Sequence, residues 1–177
     1  MIDPEATQRF MSAPWLGEVD SESKRAILAA LAESRAASGA ILLAQDQPND
    51  HLSFLIEGTA QIDRTFANGR REVITTITAP SVFGTTSFFR PDPPSVAVRA
   101  TSDVWFLTLN HPEHESLRRD NPRAAEALAV AILRALSERF DLMDRLLTDY
   151  FTRHRNEPAR TSEWASFRAR LFDEGGA

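Results

Sequence analysis

The 177-residue chain contains no cysteine. That excludes a disulfide framework, thiolate metal sites and a cysteine nucleophile. Lysine is nearly absent: Lys24 stands alone and arginine carries the rest of the positive charge. There are four histidines, His51, His111, His114 and His154. Only His111 and His114 are close, and with Pro112 between them they read as loop surface rather than a metal pair. A jelly-roll metal enzyme needs several His and carboxylate ligands on neighbouring strands, and only His51 falls in the strand-rich part, so neither a metal site nor catalysis is expected. No apolar run reaches the length of a membrane span. The start, Met1-Ile2-Asp3-Pro4-Glu5, is acidic and lacks the apolar segment of a secretory signal. A cytoplasmic protein without a membrane partner is expected. The net charge of -5 is wrong for a nucleic-acid-binding polyelectrolyte.

What the chain does have is 42% hydrophobic residues, enough to bury a core. They fall into three zones. Residues 6 to 37 read as helical. Phe10, Met11, Trp15 and Leu16 cluster there, Asp20-Ser21-Glu22-Ser23 supplies an acidic helix start, and Gly39 ends the helical character. Residues 40 to 109 switch to strands. Ile41-Leu42-Leu43, Leu52 to Ile56 and Gln61 to Phe66 are apolar or alternating runs. Asn68-Gly69 predicts a type I′ hairpin, Glu72 to Thr78 its returning strand, and Ser95 to Ala100 and Val104 to Leu109 two more. Short strands at this spacing argue for a jelly-roll barrel of about eight strands. The third zone is helical again. A short helix opens at Asn110-His111-Pro112-Glu113, and Pro122 opens a long one over 122–156.

In that long helix Leu133, Leu136, Phe140, Met143, Leu147 and Tyr150 repeat at alternating spacings of three and four, the pattern of a coiled-coil seam. Ile132 and Leu146 lie off the seam and supply a second apolar face. Two apolar faces need two surfaces to cover them, so these six residues are the expected interface of a homodimer.

The order of elements, helix, strands, long helix, resembles the cyclic-nucleotide-binding domain from Phe10 to Phe151. Gly39 to Leu43 is similar to the family's opening strand. Asp50 to Gly58 is similar to its aspartate, apolar strand and closing glycine. Val82-Phe83-Gly84 resembles the start of its phosphate-binding cassette, and Ser95 to Ala100 the strand that closes it. The resemblance implies a ligand site at Phe83, Gly84, Thr85, Thr86, Pro94, Ser95 and Val96, with Arg139 of the long helix reaching the base. A buried cyclic phosphate needs converging donors. In the family a short helix after the glycine supplies backbone N–H groups, an arginine pairs with the phosphate and a glutamate holds the ribose. Here Thr85 stands at the glutamate position and Pro94 at the arginine position. Asp46 replaces a glycine in the earlier turn. Arg90 and Arg99 are the other arginines within reach of the region, and strand alternation points Arg99 to the opposite face.

Two regions follow: 1–151 as the cyclic-nucleotide-binding-like domain with its dimer helix, and 157–177 as a short helical tail. In the tail Trp164, Phe167, Leu171 and Phe172 share one face. A single helix is not a helix-turn-helix, so direct DNA binding is not expected. The resulting expectation is a stand-alone homodimeric sensor module. Its cassette is degenerate, so cyclic AMP or GMP binding is weak, altered or lost, and the ligand is a cyclic nucleotide, another small molecule or none. The alternative is a structural dimerisation module that contacts a protein partner, its pocket filled.

Overall fold

The computed structural model describes residues 2–90 and 92–153. The first elements are α1 (Pro4–Met11), a 3-10 turn (Pro14–Leu16) and α2 (Ser21–Ala29). Asp20 caps α2, its carboxylate accepting from the Glu22 and Ser23 N–H groups at 3.1 and 2.9 Å. Those bonds satisfy donors that a helix start leaves open. The Ser23 N–H is also the main reason the Asp20 carboxyl sits below the usual aspartate value.

The helical zone ends earlier than the composition suggests. Ala32–Ala36 is strand β1, not helix. These Ala-rich residues favour helix locally, but propensity is a weak prior against tertiary pairing. β1 pairs antiparallel with β8 (Val104–Asn110), from Ala32↔Thr108 to Ala36↔Val104. The Glu33 carboxylate accepts from the Trp105 indole N–H at 2.9 Å and from the Asp3 N–H at 2.8 Å. The Arg35 guanidinium lies 3.9 Å from the centre of the Trp105 ring.

The remaining strands are β2 (Ile41–Leu43), β3 (His51–Glu57), β4 (Thr59–Thr65), β5 (Arg71–Thr78), β6 (Ser81–Phe83) and β7 (Ala97–Ala100). They form two antiparallel four-stranded sheets, ordered β1-β8-β3-β6 and β2-β7-β4-β5. This is the expected eight-stranded jelly roll with flanking helices. β7 begins two residues later than the sequence suggests. The β4–β5 hairpin forms, but with a different turn. Gly69 has φ +78° while Asn68 does not adopt positive φ. The Gly69 N–H bonds to the Phe66 carbonyl and the Phe66 N–H to the Arg70 carbonyl. That is a three-residue loop closed by a left-handed glycine, not type I′.

Two apolar clusters use opposite faces of the same strands. Leu52, Phe54 and Ile56 of β3 and Leu107 and Leu109 of β8 pack with Phe10, Leu16 and Ile27. Leu55 faces the other way, into a barrel cluster with Leu43, Ala60, Phe83, Val98 and Ala100. A strand buried on both faces reads as a continuous apolar run, as Leu52 to Ile56 does. Gly58 closes β3 with φ +88°, and a Cβ there would lie 2.3 Å from the Asp103 carbonyl oxygen. Only glycine fits.

The last described elements are α3 (Thr85–Phe89), α4 (His111–Asp120) and α5 (Pro122–Arg153). His111 and His114 are not loop residues. They occupy the first turn of α4, where Pro112 is tolerated because the first helical N–H groups have no intrahelical acceptor. Asn110 caps α4 through the Glu113 N–H at 3.0 Å, and Asn121 caps α5 through the Ala124 N–H at 3.1 Å. The chain divides into two compact units, one through Leu133 and one from Arg134. In the first, Ala124, Ala125, Leu128, Ala131 and Ile132 of α5 join the helix-side core. No helix of the described residues is long and apolar enough to cross a membrane. The 157–177 tail and its aromatic face lie outside the described residues.

Candidate functional site

The cassette begins where β6 ends. Phe83 is buried in the barrel cluster. Gly84 follows with φ +78° and caps α3. A Cβ at Gly84 would sit 2.7 Å from the His51 carbonyl oxygen, so both backbone angle and space require glycine. Thr85 is buried, Thr86 exposed and Ser87 buried. As in any helix, the first N–H groups of α3 lack intrahelical acceptors. Beyond α3, Pro94 is buried, Ser95 exposed and Val96 half-buried.

One turn ties the two ends of this stretch together. Asp46 stands in the left-handed region at φ +58°, a conformation Asp tolerates better than most residues. Its N–H donates to the Pro94 carbonyl at 2.8 Å. Three residues on, the Asn49 amide donates to the Ser87 hydroxyl at 2.9 Å and to the His51 carbonyl at 2.8 Å. The turn is itself anchored by Gln45. The Gln45 amide N–H donates to the Thr65 carbonyl at 2.9 Å, and its oxygen accepts from the Thr65 N–H at 2.7 Å. Asp46 and Pro94, two positions read from the sequence as departures from the family pattern, are therefore joined by a backbone hydrogen bond. Their separation of 48 positions hides this from local spacing; the sequence marks Gln45 and Asn49 only as part of the turn signal Gln45 to Asp50, and it does not mark the Ser87 side chain.

The arginines sort clearly. Arg90 pairs with Asp92 at 2.6 Å, both exposed. Arg99 is turned toward Asp63, 3.7 Å away, which also receives Arg71 at 3.1 Å. Its neighbour Val98 fills the barrel cluster, so alternation along β7 does place Arg99 on the other face. Asp63 is 1% exposed, a buried carboxylate the sequence did not reveal. Arg139 is exposed on α5 in the second unit, whereas the cassette lies wholly in the first.

α3 also rests on α4. The Phe88 ring stacks on His111 with centroids 4.4 Å apart and planes 4° from parallel. His114 meets Phe88 edge-on at 5.3 Å and Phe89 at 6.0 Å. Among the described residues no group of three or more His, Asp or Glu converges as a metal site. Two open cavities are lined elsewhere, one of about 360 Å³ at Arg35, Glu57 and Trp105, the other of about 740 Å³ at Ile2, Leu28 and Glu33.

Of the seam residues, Leu133, Leu136, Phe140 and Met143 are exposed on α5, by 63%, 36%, 44% and 45%. Ile132, assigned to the second apolar face, is 1% exposed in the core. The side chains of Leu147, Tyr150 and Leu146 lie outside the described residues.

A two-sheet jelly roll with a glycine-capped short helix between β6 and β7, followed by a long helix, defines the fold. The profile of the family described as "Cyclic nucleotide-binding domain" matches residues 33–133, and the chain belongs to that family. It is 27% identical over 142 residues to a CRP-like cAMP-activated global transcriptional regulator of Mycobacterium tuberculosis, covering 78% of this chain and 60% of the relative. The chain thus spans about three-fifths of that regulator's length. A cyclic nucleotide-binding domain from Methylobacillus flagellatus KT superposes with TM-score 0.72 at 20% identity, over 82% of each chain. The N-terminal domain of a transcriptional regulator from Streptomyces coelicolor A3(2) superposes with TM-score 0.64 at 26% identity, over 75% of this chain and 95% of that one.

Proposed function

We propose that the chain is a homodimeric sensor module of the cyclic-nucleotide-binding type whose cassette holds cyclic AMP or GMP weakly or not at all. The observation that carries this reading is Pro94, buried at the arginine position with its carbonyl held by the Asp46 N–H. A buried proline offers no charge and no N–H to a phosphate. Arg90 and Arg99, the nearest substitutes in sequence, are paired with Asp92 and Asp63. What supports retention of some ligand chemistry is the Gly84 cap, the N-terminal turn of α3, and the hydroxyls of Thr85, Thr86 and Ser95. These suit a ligand of lower charge, with Phe83 and Val96 as apolar walls. Arg139 is the proposed contact from α5.

Isothermal titration of the full chain with cyclic AMP and cyclic GMP tests the reading. No saturation at micromolar ligand is expected. Micromolar binding of either nucleotide would overturn the claim of a degenerate cassette.

The dimer is proposed to form through Leu133, Leu136, Phe140, Met143, Leu147 and Tyr150. Four of these carry exposed apolar side chains on one helix, an arrangement that self-association would cover. A second reading, a structural dimerisation module that contacts a protein partner, is favoured by the barrel cluster itself. Phe83, Leu43, Leu55 and Val98 already pack together there.

A further inference from the structure

α3 has only five residues, too few to hold a helix by its own hydrogen bonds. Its position depends on what it rests against. On one side the Asn49 amide holds the Ser87 hydroxyl. On the other, Phe88, 2% exposed, is stacked on His111 and flanked edge-on by His114. The support on that side is therefore made of two imidazoles.

Both imidazoles sit in the first turn of α4, and at His114 the helix dipole opposes a positive charge. His114 is half-buried, and burial pushes its pKa below the usual histidine value. Arg118 and His111 push it the same way, against Glu115, which raises it. Glu115 is itself paired with Arg118 at 2.8 Å. From α3 the facing side chains are Phe88 and Phe89, which carry no charge, and Arg90 beyond them is paired with Asp92. From β3, His51 pairs with Asn110 across the sheet and holds its imidazole against Asp50. Among the described residues, Glu115 is the one acid that acts to stabilise a His114 cation.

We propose that His114, with His111 beside it, makes the seating of α3 sensitive to protons, so that mild acid loosens the cassette helix from α4. The direction follows from linkage. A histidine whose seated value is depressed contributes stability at pH above its free value, and that stability is lost as pH falls through the seated value. A ligand that needs α3 seated then binds less tightly in acid, and its binding disfavours the proton in return. This last consequence rests on the cassette reading above, whereas the seating itself does not.

The test is hydrogen exchange of the α3 amides in the full ligand-free chain at about pH 7.5 and about pH 5.5, corrected for intrinsic rates, a span that brackets the ordinary histidine value. In the wild type, protection over Thr85–Phe89 should fall on acidification, by at most about tenfold per pH unit for one linked proton. In His114→Gln, which keeps a polar side chain without a titrating charge, the fall should vanish. Equal loss in both chains overturns the proposal. Should the variant fail to fold, NMR titration of the wild type decides. The Phe88 and α3 resonances must move with the His114 midpoint, and movement with any other midpoint overturns the proposal. Loss of protection as expected, together with micromolar cyclic AMP binding, upholds the proton linkage and overturns the degenerate-cassette reading alone.

Discussion

The cassette and α5 have kept different things. In the cassette the backbone features remain: the left-handed Gly84, its approach to the His51 carbonyl and the short helix after it. On the proposed reading, Thr85 and Pro94 stand where the family resemblance puts the side chains that meet a cyclic nucleotide. In α5 the side chains themselves persist, an apolar row from Leu133 to Met143 standing exposed. The fold needs Gly84 whatever the site binds, because a Cβ would collide with β3. It does not need an arginine at position 94. The apolar row is an expense to a solitary helix and a gain to a paired one.

Restoring the missing groups should break this contrast with the largest effect. Thr85→Glu with Pro94→Arg adds up to two charge-assisted hydrogen bonds, together about 3–6 kcal/mol, or roughly two to four decades in cyclic AMP affinity. Titration calorimetry reads it, and an inert double variant would mean that the barrel has closed around its own side chains. Next, Leu136→Glu with Phe140→Glu should turn a sedimenting dimer into a monomer while leaving the circular dichroism of the first unit unchanged. A wild type already monomeric at micromolar concentration would remove the seam from the contrast. Gly84→Ala should destabilise by about 2–3 kcal/mol in urea unfolding, through positive φ and the clash with His51.

A smaller effect is expected at Asp20. Asp20→Ala should lower the melting temperature slightly at neutral pH and not at all in strong acid. The Ser23 N–H holds the folded carboxyl below its unfolded value. The carboxylate therefore contributes above the unfolded value and ceases to as pH falls through the folded one. A deficit that persists at pH about 2 would show that the cap acts by some other means. The smallest change is Asp46→Gly, expected within about 0.5 kcal/mol of wild type, since the left-handed turn suits either residue. A large loss would assign the Asp46 side chain a structural task beyond the turn.

Six of the eight strands, all but β1 and the three-residue β6, were legible because each carries its own evidence. Leu52 to Ile56 is a run of apolar residues bounded by polar turns, and Asn68-Gly69 marks a hairpin even though its turn type differs. The two helix starts at Asp20 and Pro122 were likewise local. β1 was hidden because Ala32–Ala36 has no apolar alternation and becomes strand only through β8. The histidine pair was misplaced for a related reason: Pro112 argues against a helix interior but not against a first turn. In the site, Gly84 and its flanks could be found by resemblance. The bond from Asp46 to Pro94 and the clamp from Asn49 to Ser87 could not, since each joins residues far apart along the chain and leaves no periodic mark.

Glu33 carries a practical consequence. One carboxylate holds the start of α1 through the Asp3 N–H and the Trp105 indole in the sheet. Trp105 is thereby an optical gauge of whether α1 is docked. With Trp15 and Trp164 changed to phenylalanine, the colour of its emission would report the release of that first helix, and a fluorimeter would follow a motion that spectroscopy of the backbone would average away.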